Sequence, residues 1–121
     1  DLLSSFAGRK ILVLGDMAEL GEKARYYHEQ VGEYAKQKGI DHLYTLGVLS
    51  QSASAVFTDK GRHFSCLVQM VEFINQQILP EKHDVSILVK GSRSARMELV
   101  VKALEDSPLG KLERFREQIA C

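Results

Sequence analysis

The chain has 121 residues, enough for one domain with a real core but too few for an enzyme with separate binding domains. Lys plus Arg balance Asp plus Glu at 16 each, and a pI near 7.1 gives no general pull toward nucleic acid or acidic membranes. Two cysteines, Cys66 and Cys121, have no CxxC spacing, which fits a reducing compartment and argues against a disulfide framework or structural zinc; without a long apolar run, neither a signal peptide nor a membrane span is predicted.

Residues 1–8, carrying Leu2, Leu3 and Phe6, read as the remnant of a linker between domains. Ile11 to Leu14 is an unbroken apolar run, and predicts a strand buried on both faces. It stops at Gly15. Gly15 and Gly21 bracket a loop holding Asp16 and Glu19, after which the pattern becomes helical. In open α/β sheets such a switch at the carboxyl end of a strand is where ligands bind. The plainer alternative is that Gly15 only turns the chain and Asp16 only caps a neighbour.

Tyr27, Val31, Tyr34 and Ala35 share one face at helical spacing and predict a helix from about Ala24 to Lys38, closed by Gly39. His42 to Leu46 follows as a second strand ending at Gly47, and Leu49, Ala53, Val56 and Phe57 mark a short helix. Asp59-Lys60-Gly61 turns the chain into a weak strand over Arg62 to Ser65, placed near an edge. Leu67, Met70, Val71, Ile74 and Ile78 form the most regular amphipathic helix, which Pro80 stops. Val85 to Val89 is the second strongly buried strand. Lys90-Gly91-Ser92-Arg93-Ser94 leave its end, and Met97, Val100, Val101 and Leu104 continue as a helical face. Beyond the Ser107-Pro108 break, Leu109, Leu112, Phe115 and Ile119 predict a further amphipathic helix in a tail spanning residues 105–121.

Strands alternating with helices of this length imply right-handed crossovers and an α/β fold: a Rossmann-like, mostly parallel sheet with helices on both faces, occupying residues 9–104. No Walker loop and no GxGxxG fingerprint occur, so a nucleotide touching this domain would be gripped mainly by another domain. The two strongest strands should lie centrally, so that Asp16 and Glu19 on one loop and Lys90, Ser92, Arg93 and Ser94 on the other emerge at the same end of the sheet. The second loop enters a helix whose free N–H groups favour an anion, and Arg93 adds a planar fork suited to carboxylate or phosphate; alternatively Ser92 or Ser94 is simply an N-cap. His28 reads as a packing or capping residue rather than a ligand, and His42, His63 and His83 lack partners at metal-ligand spacing. No Ser-His-Asp or Cys-His set stands out, so neither a catalytic residue nor a metal site is predicted within the chain.

Leu14-Gly15-Asp16-Met17-Ala18-Glu19-Leu20-Gly21-Glu22, with His28 and Val31-Gly32, then Val89-Lys90-Gly91-Ser92-Arg93 with Met97-Glu98, resembles the C-terminal domain of the Mur ligases over about Gly8 to Leu104. Pairing a GDMxELG loop with a KGSRxxxME loop is far more specific than either glycine cluster. Within that family the chain is most similar to members that join D-alanyl-D-alanine to UDP-N-acetylmuramoyl-tripeptide. The resemblance implies a bacterial cytoplasmic ligase of peptidoglycan synthesis, serving cell shape and division, whose N-terminal domain takes the UDP sugar and whose central domain holds ATP and Mg2+. ATP would convert the substrate carboxylate to an acyl phosphate, which the incoming amine attacks. On that likeness Asp16 faces the nucleotide, Lys90, Ser92 and Arg93 receive D-alanyl-D-alanine, and Gly15, Glu19, Gly21, His28 and Gly91 support the loops. The 121 residues alone would be catalytically silent. Two other readings compete: a free-standing Rossmann-like small-ligand or receiver-like module, and a structural domain whose loops serve only interdomain docking.

Overall fold

The computed structural model describes residues 8–17, 21–48, 50–80, 84–91 and 95–120. Its elements in chain order are β1 (Arg9–Gly15), α1 (Ala24–Gln37), β2 (His42–Leu46), α2 (Gln51–Phe57), β3 (Gly61–Phe64), α3 (Leu67–Ile78), β4 (Val85–Lys90), α4 (Glu98–Asp106) and β5 (Phe115–Ala120). Short 3-10 turns lie at Gly21–Lys23, Thr58–Lys60 and Pro108–Lys111. The five strands form one sheet in the order β3-β2-β1-β4-β5, every neighbouring pair parallel. This is the expected α/β architecture, with the two most apolar strands, β1 and β4, side by side at its centre.

Strand β1 is apolar from Ile11 to Leu14 because both of its faces are covered there. Ile11 and Val13, with Ile87 and Val89 of β4, pack against Met70 and Ile74 of α3 and Val100 and Leu104 of α4. Leu12 and Leu14, with Leu43 of β2, pack against Ala35 of α1 and Ala53 and Phe57 of α2. From β1 the chain steps outward through β2 to β3, then returns across the sheet to β4 and β5. With one handedness for every crossover, that reversal puts α1 and α2 on one face and α3 and α4 on the other.

Helix α1 has nearly the predicted bounds, and Val31 and Ala35 of the predicted face pack on the core, but the two tyrosines do not. Its buried residues are Ala24, His28, Gly32 and Ala35, whereas Tyr27 and Tyr34 are 44% and 48% exposed. The cause is a close helix–helix approach: a Cβ on Gly32 would lie 2.5 Å from the carbonyl oxygen of Ala53 in α2. Backbones that near each other admit only small side chains at the contact, and the tyrosines are displaced to the flank.

The tail also departs from expectation. In place of a rim helix, α4 ends at Asp106, a 3-10 turn follows, and β5 pairs with β4 from Val85↔Phe115 to Lys90↔Ala120. Leu109 and Leu112, whose spacing suggested a helix, pack on the core from the turn and the link after it. Among the described residues, no helix is long and apolar enough to cross a membrane.

Candidate functional site

Because β1 and β4 are direct neighbours, with Leu14 opposite Lys90, the acidic and basic loops leave the same end of the sheet from adjacent strands. Gly15 and Gly91 meet at this junction, where a Cβ on Gly91 would lie 3.3 Å from the Gly15 Cα. Neither glycine has a positive φ. The nearest neighbour of both is Met97, 2% exposed, whose sulfur a Cβ on Gly15 would strike and whose Cγ would be 2.6 Å from a Cβ on Gly91. The residue before it, Arg96, holds φ 54, a left-handed conformation that costs a non-glycine residue roughly 1–2 kcal/mol.

Asp16 is half-buried and reaches sideways rather than forward. Its Oδ2 accepts the Val48 N–H at 3.0 Å and its Oδ1 accepts the Ser50 N–H at 2.8 Å, so the carboxylate caps the turn between β2 and α2. Gly47 in that turn has φ 125, and a Cβ there would lie 2.6 Å from Asp16 Oδ1. The turn can therefore close around the carboxylate only with glycine at this place.

His28 is fully buried. Its Nε2 accepts the Met17 N–H at 3.0 Å, while its Nδ1 lies 2.6 Å from the Ala24 carbonyl. One nitrogen must accept and the other donate, so the ring is the neutral Nδ1–H tautomer. The imidazole thereby ties the residue after Asp16 to the first turn of α1. Gly21 opens the short turn leading into that helix.

Lys90 closes β4, is half-buried, and forms no ion pair among the described residues. It stands at one end of a groove of about 580 Å³ lined by Leu12, Met17, Tyr27, Val31 and Leu88. Those residues come from β1, the loop after it, α1 and β4. The groove lies where the α1 face of the sheet runs out beyond its two helices. Glu19, Ser92, Arg93 and Ser94 lie outside the described residues. Among the described residues no group of three or more His, Cys, Asp or Glu could hold a metal ion.

Two features escaped the sequence reading. The turn at Gly47, Val48 and Ser50 is not among the sequence candidates, and Met97 reads in the sequence only as part of a helical face. A signal did exist for the first: Gly15, Gly47 and Gly91 each end a parallel strand, which marks three loops at one end of the sheet rather than two.

A family described as "Mur ligase, glutamate ligase domain" matches residues 1–93. UDP-N-acetylmuramoyl-tripeptide--D-alanyl-D-alanine ligase from Escherichia coli K12 is 41% identical over 106 residues, and its counterpart from Buchnera aphidicola subsp. Acyrthosiphon pisum is 40% identical over 103. These alignments cover 88% and 85% of this chain but only 23% and 22% of those proteins, so the chain spans about a quarter of the length of the curated relatives it matches. Among solved structures, MurF from Acinetobacter baumannii superposes with a TM-score of 0.79 at 26% identity, over 88% of this chain and 23% of that one. MurF ligase from Thermotoga maritima in complex with ADP superposes with a TM-score of 0.70 at 27% identity, over 85% and 23%. The junction built by Gly15, Asp16, Lys90 and Gly91 is thus set in the fold of those ligases, and the chain belongs to the Mur ligase, glutamate ligase domain family.

Proposed function

We propose that this chain is the substrate-closing domain of an ATP-dependent amide ligase that adds D-alanyl-D-alanine to UDP-N-acetylmuramoyl-tripeptide in the cytoplasm. The observation that carries the reading is the pair of loops, one with Asp16 and one with Lys90, leaving adjacent central strands at the same end of the sheet. Relatives at 40% and 41% identity carry that activity in their names. In this reading residues 1–8 lead in from a central domain that holds ATP and Mg2+, and an N-terminal domain holds the UDP sugar.

The two loops then divide the work. Asp16 faces the nucleotide and accepts a ribose hydroxyl, its bonds from the Val48 and Ser50 N–H groups helping to fix its direction. Lys90, Ser92 and Arg93 receive the dipeptide, the guanidinium of Arg93 pairing with its terminal carboxylate. No phosphoryl transfer is assigned to these residues. Their contribution is to hold the amine against the activated carboxyl carbon, an effect worth on the order of 7 to 11 kcal/mol in well-oriented systems.

The test is ligation itself. The complete protein should join D-alanyl-D-alanine to UDP-N-acetylmuramoyl-tripeptide only when ATP and Mg2+ are supplied, and the 121 residues alone should yield no product by mass spectrometry. Arg93→Ala in the complete protein should raise the dipeptide KM. Unchanged dipeptide KM and turnover would remove Arg93 from the site, and a complete protein without this activity would overturn the reading.

A further inference from the structure

Met97 is the residue whose side chain lies against both Gly15 and Gly91. It lies at the start of α4, where its carbonyl accepts the N–H groups of Val100 and Val101, and it is almost fully buried. Its side chain reaches the ends of two strands at once. A Cβ on Gly15 would collide with its sulfur, and a Cβ on Gly91 would lie 2.6 Å from its Cγ. Since neither glycine has a positive φ, backbone conformation does not exclude alanine at either place; a methyl at Gly15 would have to displace the thioether, and one at Gly91 would meet both Met97 and the Gly15 Cα, 3.3 Å away. The chain enters Met97 through Arg96 in a left-handed conformation, φ 54, uncommon for a residue with a side chain.

We propose that Met97 is a positioning residue: its thioether is a wedge seated on Gly15 and Gly91 that fixes how the strand ends carrying Asp16 and Lys90 stand relative to each other. It touches no substrate. Resting on the ligase reading above, the wedge sets how the nucleotide-facing and dipeptide-receiving loops stand relative to each other when the domain closes. An unbranched, polarisable side chain suits this place because it fills the narrow space that two bare backbones leave.

In the complete ligase, Met97→Ala should lower kcat by about tenfold or more while the ATP KM changes little, because misplacing aligned groups costs rate before it costs binding. Met97→Leu, close in volume, should restore most of the rate. Gly15→Ala should be damaging on its own and markedly less so when combined with Met97→Ala, because the space vacated by the sulfur accepts the new methyl; a double-mutant cycle on thermal unfolding reads this coupling without any assay of turnover. Wild-type kcat and KM for Met97→Ala, assayed well below its melting temperature, would overturn the positioning role. Additive stability effects for Gly15→Ala and Met97→Ala would overturn the wedge. Failure of the wild-type protein to ligate would instead overturn the ligase reading, and with it the positioning role, while the cycle would still decide whether the wedge exists.

Discussion

At the scale of single residues the site is built from polar groups committed to backbone. His28, itself fully buried, accepts the Met17 N–H and donates to the Ala24 carbonyl. His28→Ala removes both bonds and opens a cavity beside α1, so it should destabilise the fold by about 2–4 kcal/mol in urea unfolding. Asp16→Asn keeps one oxygen to accept from the β2–α2 turn and should cost about 1–2 kcal/mol by the same measurement. In the complete protein the same variant should raise the ATP KM; a normal ATP KM with altered interdomain affinity would instead mark Asp16 as a docking residue. The letters alone placed Asp16 at the end of a buried strand but left cap and site as equal alternatives. They had to, because the Val48 and Ser50 N–H groups it accepts sit more than thirty positions away on a different loop.

Elements were legible where period and burial agree. Strands β1, β2 and β4 follow from their apolar runs, and α1 and α3 from helical spacing and their stops. The buried face of α1 did not follow, since hydrophobicity favours Tyr27 and Tyr34 whereas proximity to α2 selects Gly32 and its small neighbours. Gly32→Ala should therefore destabilise the domain by about 1–3 kcal/mol through overpacking against Ala53, although alanine is the better helix former. The tail was misread for a related reason. Glu117 stands opposite Ile87 in the middle of β5 and interrupts the alternation that would have announced a strand. Burial, a side-chain hydrogen bond with Glu105 and repulsion from Glu105 push the Glu117 carboxyl from an ordinary 4.5 up to about 7. The folded state thus holds a proton that the unfolded chain has released. The associated stability is fully present below about pH 4.5 and is lost as pH rises through about 7. Glu117→Gln should flatten the decline between those values in unfolding experiments run as a pH series; an unchanged slope would show that Glu117 does not set it.

For the whole molecule, topology does what no single stretch of letters can: it decides which loops are neighbours. Two strongly apolar strands made central placement legible, and the crossover rule made a shared end legible. The lateral tie from Asp16 to the β2–α2 turn and the seat of Met97 on two glycines appear only once the strands are ordered β3-β2-β1-β4-β5. The groove along α1 belongs to this scale too. The reversal at β1 leaves part of one sheet face without a helix, and Lys90 stands where that face meets the loops.

The central claim is that these adjacent loops serve one closing surface with separate duties, and the most direct measurement is the steady-state KM of each substrate for Lys90→Gln in the complete ligase. The account predicts a D-alanyl-D-alanine KM raised about tenfold or more with the ATP KM within about twofold of wild type, as loss of one charged contact to a carboxylate would give. Dipeptide and ATP KM values that both match wild type, at wild-type turnover, would contradict it.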